Sequence, residues 1–417
     1  MQPGTNLPVG GKIRAYSFLS QNKVGLLTPL KSDAEQFQTK SVTNLRLIIR
    51  GLLTLGAISI LFLVARFLIS DPTGKIGGTD LLEYWSAARA LLLNQNPYDA
   101  SVIGAIQRNI HQNSRETILM WNPPLIFPFI LPIALIPFKW ALIGWFNLTI
   151  LSFLYSIDRC ARIFSWKLPI SVSDLRRRPL TLLALLSFPP LIINLSLGQI
   201  SPLLLIGITF FLFWYSNQQK QLFSGLALSL TLIKPHILFL VYIGVFYSAL
   251  KTKRFRVVLG FVGGGILLCL IPMAFAPAIY TQYFAAISAP PIYWQTPTLG
   301  SWLQFFTSIH SIEIRTAPSL LAIIGYVAFL VLRRPDSLTL THFIILLPLS
   351  VVTSPYSWLF DQLLLLPTLI WMLSIEDLNP NASRLRCGLL LISHVGIILA
   401  GPVGQQYHVW YPILIFL

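Results

Sequence analysis

The sequence predicts an all-α polytopic membrane protein, and two observations support this fold class. The mean hydropathy of the chain is +0.70, and 55% of its 417 residues are hydrophobic whereas only 11% are charged. Apolar runs long enough to cross a bilayer recur between residues 46–70 and residues 386–400. These runs are continuously apolar, whereas the strands of a membrane β-barrel alternate in polarity. We therefore expect roughly eleven to thirteen membrane helices.

The basic residues predict which loops face the cytoplasm. The chain has 30 Lys and Arg against 14 Asp and Glu, a formal net charge of +16. The basic residues form short clusters between apolar runs, at residues 176–178, 251–256, 333–334 and 384–386. Cytoplasmic loops carry such clusters, so this distribution indicates sidedness and predicts no nucleic-acid partner.

The polar, mildly basic residues 1–44 predict a flexible cytoplasmic tail, followed by a transmembrane domain at residues 45–417. Segment 46–70 leaves the cytoplasm, so residues 71–121 form a first extracytoplasmic loop. Within this loop we predict a helix over residues 80–93 and a second helix over residues 99–112, lying along the membrane surface.

Residues 122–157 are apolar but interrupted by proline, and their path is open. Two short membrane helices meeting at residues 137–139 fit the length. A re-entrant half-helix followed by one crossing fits equally, and it places the basic segment 158–178 in the cytoplasm.

Two hairpins follow, with apexes at residues 197–199 and 234–236. Their arms have about 15 residues, fewer than the roughly 20 that a full crossing requires. Broken helices are tolerated at membrane depth where they line a cavity, so we predict an internal cavity that opens outward. The remaining segments cross the membrane in alternating directions, at residues 257–275, 317–332, 338–352, 359–374 and 387–401. A second large extracytoplasmic loop, at residues 276–316, joins the first two of these crossings.

Acidic residues are scarce, yet Asp80 and Glu83 lie three residues apart on one face of the first predicted helix. We interpret Asp80 as a general base at the rim of the cavity; the alternative is an N-cap or a charge that complements the helix dipole. Tyr84, Trp85 and Arg89 share this helix and are candidates for substrate contact with Glu83, although Tyr and Trp also serve as interface anchors.

Lys234 is predicted at a hairpin apex, beside Pro and His236. A lysine at membrane depth needs a partner or water, and a phosphate group is a suitable partner. Lys234 is therefore a candidate phosphate ligand that His236 assists. The alternatives are a lysine that reaches the interface and a histidine that fills space.

Further polar groups near membrane depth are candidate substrate ligands: Asn122, Gln199, Tyr356, Trp358 and Asp361. Gln199 alternatively satisfies backbone groups at its turn, and Asp361 alternatively pairs with a cation on another helix. The sequence shows neither a metal-ligand motif nor a glycine-rich phosphate loop. A transferase that works on the outer face would therefore need a donor that the membrane delivers.

Several motifs together resemble glycosyltransferase family 87, which has the GT-C fold. They are GTDLLEYWSAA at residues 78–88, NPYD at 96–99, WNPPL at 121–125, LGQIS at 197–201, SGLALSLTLIKP at 224–235 and SPYSW at 354–358. They run in family order, and the resemblance covers most of the chain from about residue 46 onward. Two departures are Glu83, which matches no family position, and Trp121, where an aromatic residue precedes Asn122 instead of following it.

The resemblance implies an enzyme of the bacterial plasma membrane whose active site faces outside. Asp80 matches the catalytic aspartate of the family, and Lys234 is the natural neighbour of the donor phosphate. The implied donor is a polyprenyl-phosphate sugar, often mannose, which is transferred with inversion and without an obligatory metal cofactor. The implied partners are this donor, a lipid or glycan acceptor and membrane lipids.

A transporter or lipid-linked glycan flippase is the alternative function, because broken helices and a polar cavity also suit transport. The two halves of the chain show no convincing internal repeat, which disfavours it. A scaffold protein is a third alternative.

Overall fold

A computed structural model describes residues 79–110, 117–166, 179–215, 220–288, 290–376, 380–400 and 404–416. Every secondary-structure element in these ranges is helical, which confirms the all-α class. The predicted tail at residues 1–44 and the first predicted crossing at 46–70 lie outside the described residues.

The first loop contains the two predicted helices, α1 at Thr79–Leu92 and α2 at Ala100–Arg108. Asn94 follows α1 with a positive φ of 57°, a conformation that asparagine tolerates better than most residues. Asp99 caps α2, since its carboxylate accepts from the backbone N–H groups of Ser101 and Val102 at 2.8 and 3.2 Å.

Residues 122–163 form a short helical segment and one long helix, which meet just before Phe138. A 3₁₀ turn at Pro124–Ile126 leads into the short helix α3 at Phe127–Ala134, and the chain then forms one 26-residue helix, α4 at Phe138–Ile163. Asp158 was expected to open a loop but lies within α4, where Arg162 pairs with it at 2.9 Å. This i,i+4 pair supports the last turns of the helix.

The two hairpin apexes break where predicted. Helices α5 at Pro179–Leu186 and α6 at Pro189–Leu197 precede Gly198, which has a φ of 73°, and α7 follows at Ser201–Tyr215. Helix α8 at Gln221–Ser229 continues as a 3₁₀ turn at Leu230–Ile233. The break comes at Lys234, before a second 3₁₀ turn at Pro235–Ile237 and α9 at Phe239–Thr252, because a proline disfavours the helical conformation in the preceding residue.

The second large loop is helical and shorter than predicted. Helix α10 spans Phe255–Phe275, α11 Ile279–Ala286 and α12 Leu299–Thr307, and α13 already begins within the predicted loop, at Ile312–Arg333. The chain ends with α14 at Leu340–Thr353, a 3₁₀ turn at Asp361–Leu365, α15 at Leu366–Glu376, α16 at Pro380–Ala400, a 3₁₀ turn at Gln405–Trp410 and α17 at Tyr411–Phe416.

Within the described ranges, three helices are long and apolar enough to cross a membrane: α4, α10 and α13. Shorter apolar helices, including α7, α9 and α14, accompany them. Helices α8 and α10 pack closely on small residues, because a Cβ at Gly225 would meet the backbone carbonyl of Val257 and one at Gly260 that of Leu222. Small residues permit such close approach between membrane helices.

Candidate active site

A cavity of about 710 Å³ collects side chains from segments far apart in the sequence. Helix α1, residues 117–122, both hairpin apexes, the second loop and the segment that follows α14 all contribute to its wall. Of the predicted site residues, ten line it: Asp80, Glu83, Tyr84, Asn122, Gln199, Lys234, His236, Tyr356, Trp358 and Asp361.

Trp85 and Arg89, which were also predicted to contact the substrate, do not line the cavity. The Trp85 indole donates to the carbonyl of Ile136 at 3.0 Å, and Arg89 donates to the carbonyl of Ala134 at 2.9 Å. The two carbonyls lie at the C-terminal end of α3 and just beyond it, so these two side chains bind α1 to that helix terminus. They thereby hold the start of α1 at the cavity.

Asp80 lies in the first turn of α1 and is half-buried. Thr79, the first residue of this described range, is already helical, so Asp80 is not the N-cap, and its first-turn position also suits the helix dipole. The Thr79 hydroxyl donates to one carboxylate oxygen at 3.1 Å, and the Gln199 side-chain amide donates to the other. Burial raises the pKa of Asp80, whereas these two hydrogen bonds oppose the rise by stabilising the charged form. The carboxylate is thus fixed in orientation and made more basic than a solvated aspartate.

Gln199 connects the first hairpin apex to α1. Its side-chain oxygen accepts from the Tyr84 hydroxyl at 3.0 Å, and its backbone carbonyl accepts from the Trp145 indole at 3.0 Å. The Tyr84 hydroxyl orients the amide so that its NH₂ group faces Asp80. The left-handed Gly198 directs the Gln199 side chain toward α1, so the amide does more than satisfy its own turn.

Glu83 lines the cavity one turn after Asp80 and is 8% exposed. Burial raises its pKa well above the usual glutamate value, and the negative charge of Asp80 raises it further. Lys234 and the backbone N–H of Trp121 act in the opposite direction. The two carboxyls therefore differ in character, and Glu83 holds its proton more tightly.

Lys234 pairs with Asp361, and both side chains are buried. The ammonium lies 2.8 Å from a carboxylate oxygen of Asp361 and 4.7 Å from the centre of the Phe360 ring. Asp361 also accepts from the Ser201 hydroxyl at 2.9 Å and from the backbone N–H of Trp358 at 3.0 Å. This is the cross-helix pairing considered for Asp361, and it keeps Lys234 from extending to the interface.

The remaining motif residues explain how the walls are assembled. The Tyr98 hydroxyl donates to the backbone carbonyl of Asn122 at 3.0 Å, which joins the NPYD and WNPPL motifs. The Ser354 hydroxyl donates to the carbonyl of Tyr356 at 2.7 Å and stabilises the turn in SPYSW. His236 lines the cavity beside the Lys234–Asp361 pair.

Trp294, in the second loop, was not predicted as a site residue. Its ring contacts Trp121, Trp358 and Tyr356, with centroids 5.3, 5.5 and 6.4 Å away. Three separate segments therefore contribute one aromatic wall. The enrichment of the second loop in aromatic residues was the available signal, but it does not single out Trp294.

Arg315 was also missed, and it is fully buried. It donates to the carbonyls of Pro355 and Ile292 at 2.9 and 3.0 Å, and to the side chains of Gln304 and Thr296 at 2.8 and 3.1 Å. Its guanidinium lies 4.0 Å from the centre of the Tyr356 ring. Arg315 thus fastens the second loop behind the aromatic wall. A lone arginine near the start of an apolar helix was the sequence signal.

Among the described residues, no group of three or more His, Cys, Asp or Glu side chains is arranged so that it could hold a metal ion. Lys234 is the residue most suited to an anionic ligand, because an ammonium has three N–H donors and the bond to Asp361 occupies one. Asp80 is the residue most suited to accept a proton. A carboxylate and a cation beside an aromatic wall suit the binding of a polar ring that carries an anionic group.

A helical fold with apolar spans and a carboxylate-lined cavity defines an integral membrane protein with a candidate binding site. The model of glycosyltransferase family 87 matches residues 121–355, more than half of the chain. The chain belongs to this family and is a membrane glycosyltransferase, which favours the enzyme over the transport alternative. No curated protein and no solved structure matches it.

The matched range divides the candidate site. It includes Asn122, Gln199 and Lys234, whereas Asp80 and Glu83 precede it and Asp361 follows it. The roles of these six residues rest on the geometry of the cavity.

Proposed function

We propose that this protein is an inverting glycosyltransferase that uses a polyprenyl-phosphate sugar, with mannose as the expected sugar. The acceptor is a lipid-linked or glycan hydroxyl at the extracytoplasmic face of a bacterial plasma membrane. One observation carries the proposal: in a chain of this family, a hydrogen-bonded carboxylate, Asp80, and a buried ammonium, Lys234, line the same cavity.

Asp80 acts as the general base. An oxygen lone pair of the acceptor hydroxyl forms the new bond to the anomeric carbon, while the bond from that carbon to the phosphate oxygen breaks. The hydroxyl proton passes to Asp80, and the electron pair of the broken bond leaves with the lipid phosphate. A single displacement of this kind inverts the anomeric configuration. General-base assistance contributes about 10²–10⁴-fold to such reactions.

Lys234 holds the donor phosphate through its two remaining N–H donors and stabilises the charge that develops on the leaving group. Asp361 positions the ammonium, and its own charge is shared with Ser201 and the Trp358 backbone. A phosphate is a good leaving group, so no acid is required to protonate it. The expectation that no metal is needed stays a prediction.

The aromatic wall of Trp121, Trp294 and Trp358 supports a ligand with apolar surface. Aromatic side chains supply large, rigid apolar contact area. A sugar ring with C–H groups on its faces suits this wall, and the polyprenyl chain leaves between the helices toward the lipid.

The experiment is transfer by the purified protein in detergent from synthetic polyprenyl-phosphate β-mannose to an alkyl glycoside acceptor. We expect a new glycosidic bond with α configuration, observed by NMR, and unchanged activity after treatment with EDTA. A nucleotide sugar replaces the lipid donor as the control and should give no product. A product with retained β configuration, transfer from the nucleotide sugar, or movement of the lipid without bond formation would overturn the proposal.

A further inference from the structure

Glu83 lines the cavity, but the reaction proposed above gives it no role. It lies three residues after Asp80, so both carboxyls project from the same face of α1. Both line the cavity, and Glu83 is the more buried of the two. Its position beside the proposed base in the same cavity is consistent with contact to the acceptor.

Within the described part of the chain, no lysine, arginine or histidine forms an ion pair with Glu83, since Lys234 is bound to Asp361. The titratable and charged groups around it are Asp80 and Tyr84 on its own helix, Tyr98 after α1, Lys234 and His236 at the second apex, Tyr283 on α11, and Asp361. Burial and the Asp80 charge raise the pKa of Glu83, which favours the neutral carboxylic acid beside an ionised Asp80.

We propose that Glu83 determines acceptor specificity by donating a hydrogen bond to a hydroxyl adjacent to the one that Asp80 deprotonates. The acceptor is therefore a sugar with two neighbouring hydroxyl groups, not a simple alcohol. This inference rests on the proposed function, because it names the acceptor class of that same site.

The chemistry of the two carboxyls assigns the two hydroxyls. An ionised carboxylate only accepts hydrogen bonds, which suits the hydroxyl that loses its proton to Asp80. A neutral carboxylic acid also donates, which suits a hydroxyl that stays intact. Side chains at i and i+3 lie about 5–6 Å apart at their Cβ atoms, so two neighbouring ring hydroxyls reach both.

An acceptor substrate without the neighbouring hydroxyl leaves the O–H of the buried Glu83 acid without that hydrogen bond, and a buried donor left unpaired is costly. Sites that bind a substrate hydroxyl reject analogues that lack it for this reason. The expected ratio of kcat/KM between the parent acceptor and the deoxy analogue is about tenfold to a hundredfold.

The test uses an alkyl glycoside and its set of monodeoxy analogues. Removal of the attacked hydroxyl abolishes transfer, and removal of its neighbour reveals the discrimination ratio. We expect Glu83→Gln, which keeps a donor, to preserve most of this ratio and Glu83→Leu to reduce it to about one. Glu313→Gln, at an exposed glutamate outside the cavity, is the matched control and should leave the ratio unchanged.

The pH profile provides a second readout that needs no leucine variant. Transfer by the wild type should decline at alkaline pH as Glu83 loses its proton, and Glu83→Gln should remove this decline. An unchanged ratio in Glu83→Leu, no preference in the wild type, or an alkaline decline that persists in Glu83→Gln would overturn the role of Glu83. Absence of transfer to every acceptor would instead contradict the proposed function itself.

Discussion

We predict that removal of Lys234 and removal of Asp361 lower the free energy of unfolding by different amounts. The two groups lie 2.8 Å apart, and their side chains are 9% and 1% exposed. Removal of one member of a buried pair typically costs about 3–5 kcal/mol, because the other charge remains buried without compensation. The stability of each variant therefore depends on which hydrogen-bond donors or acceptors remain around the surviving charge.

Lys234→Met leaves Asp361 with two donors, the Ser201 hydroxyl and the Trp358 backbone N–H. We expect a loss of unfolding free energy near the lower end of that range, about 3 kcal/mol. Asp361→Asn leaves the ammonium with the Phe360 ring and a weaker, neutral acceptor, so we expect about 5 kcal/mol. The double variant Lys234→Met/Asp361→Leu should lose less unfolding free energy than the two single variants together, since no buried charge remains.

The assay is unfolding in mixed detergent micelles, followed by circular dichroism, for the wild type, both single variants and the double variant. Asp158→Asn is the control, because the exposed Asp158–Arg162 pair should contribute below about 1 kcal/mol. Additive losses, or a larger loss in Lys234→Met than in Asp361→Asn, would refute this account of the pair.

Three further predictions follow from single side chains. Gln199→Leu should lower kcat roughly tenfold and move the acidic limb of the pH profile upward, because it removes a hydrogen bond that lowers the pKa of Asp80; an unmoved limb in steady-state kinetics would contradict this. Arg315→Met should destabilise the protein by about 3 kcal/mol or more in the same unfolding assay, since four acceptors, two of them buried, lose their donor, whereas the exposed Arg333→Met should not. Gly260→Leu should lower the melting temperature, because the new side chain meets backbone, whereas Gly263→Leu, which meets open space, should leave it unchanged.

Local signals predicted much of this fold. Pro235 and Gly198 marked both hairpin apexes, because their backbone preferences act on adjacent residues and need no distant partner. The helix predicted over residues 80–93 is observed at Thr79–Leu92 for the same reason. The scarcity of acid in an apolar chain directed attention to Asp80 and Glu83, and both line the cavity.

Contacts between distant segments could not be predicted from the sequence. The bonds of Trp85 and Arg89 to the end of α3 depend on how that helix packs, so these residues were expected in the site. The partner of Lys234 was left open, since several acids and a ligand phosphate are chemically equivalent. Trp294 and Arg315 act through residues in other segments, and no spacing along the chain indicates those contacts.

The central claim is that Asp80 is the general base, and the most direct measurement is kcat for transfer by Asp80→Asn. Asparagine keeps the size of the side chain and one of its two acceptor oxygens, but it accepts no proton from the acceptor hydroxyl. We predict that kcat falls by about 10²–10⁴-fold while the protein remains folded. Asp158→Asn, at an exposed aspartate, should retain wild-type activity. Activity of Asp80→Asn within a few-fold of wild type would contradict the account.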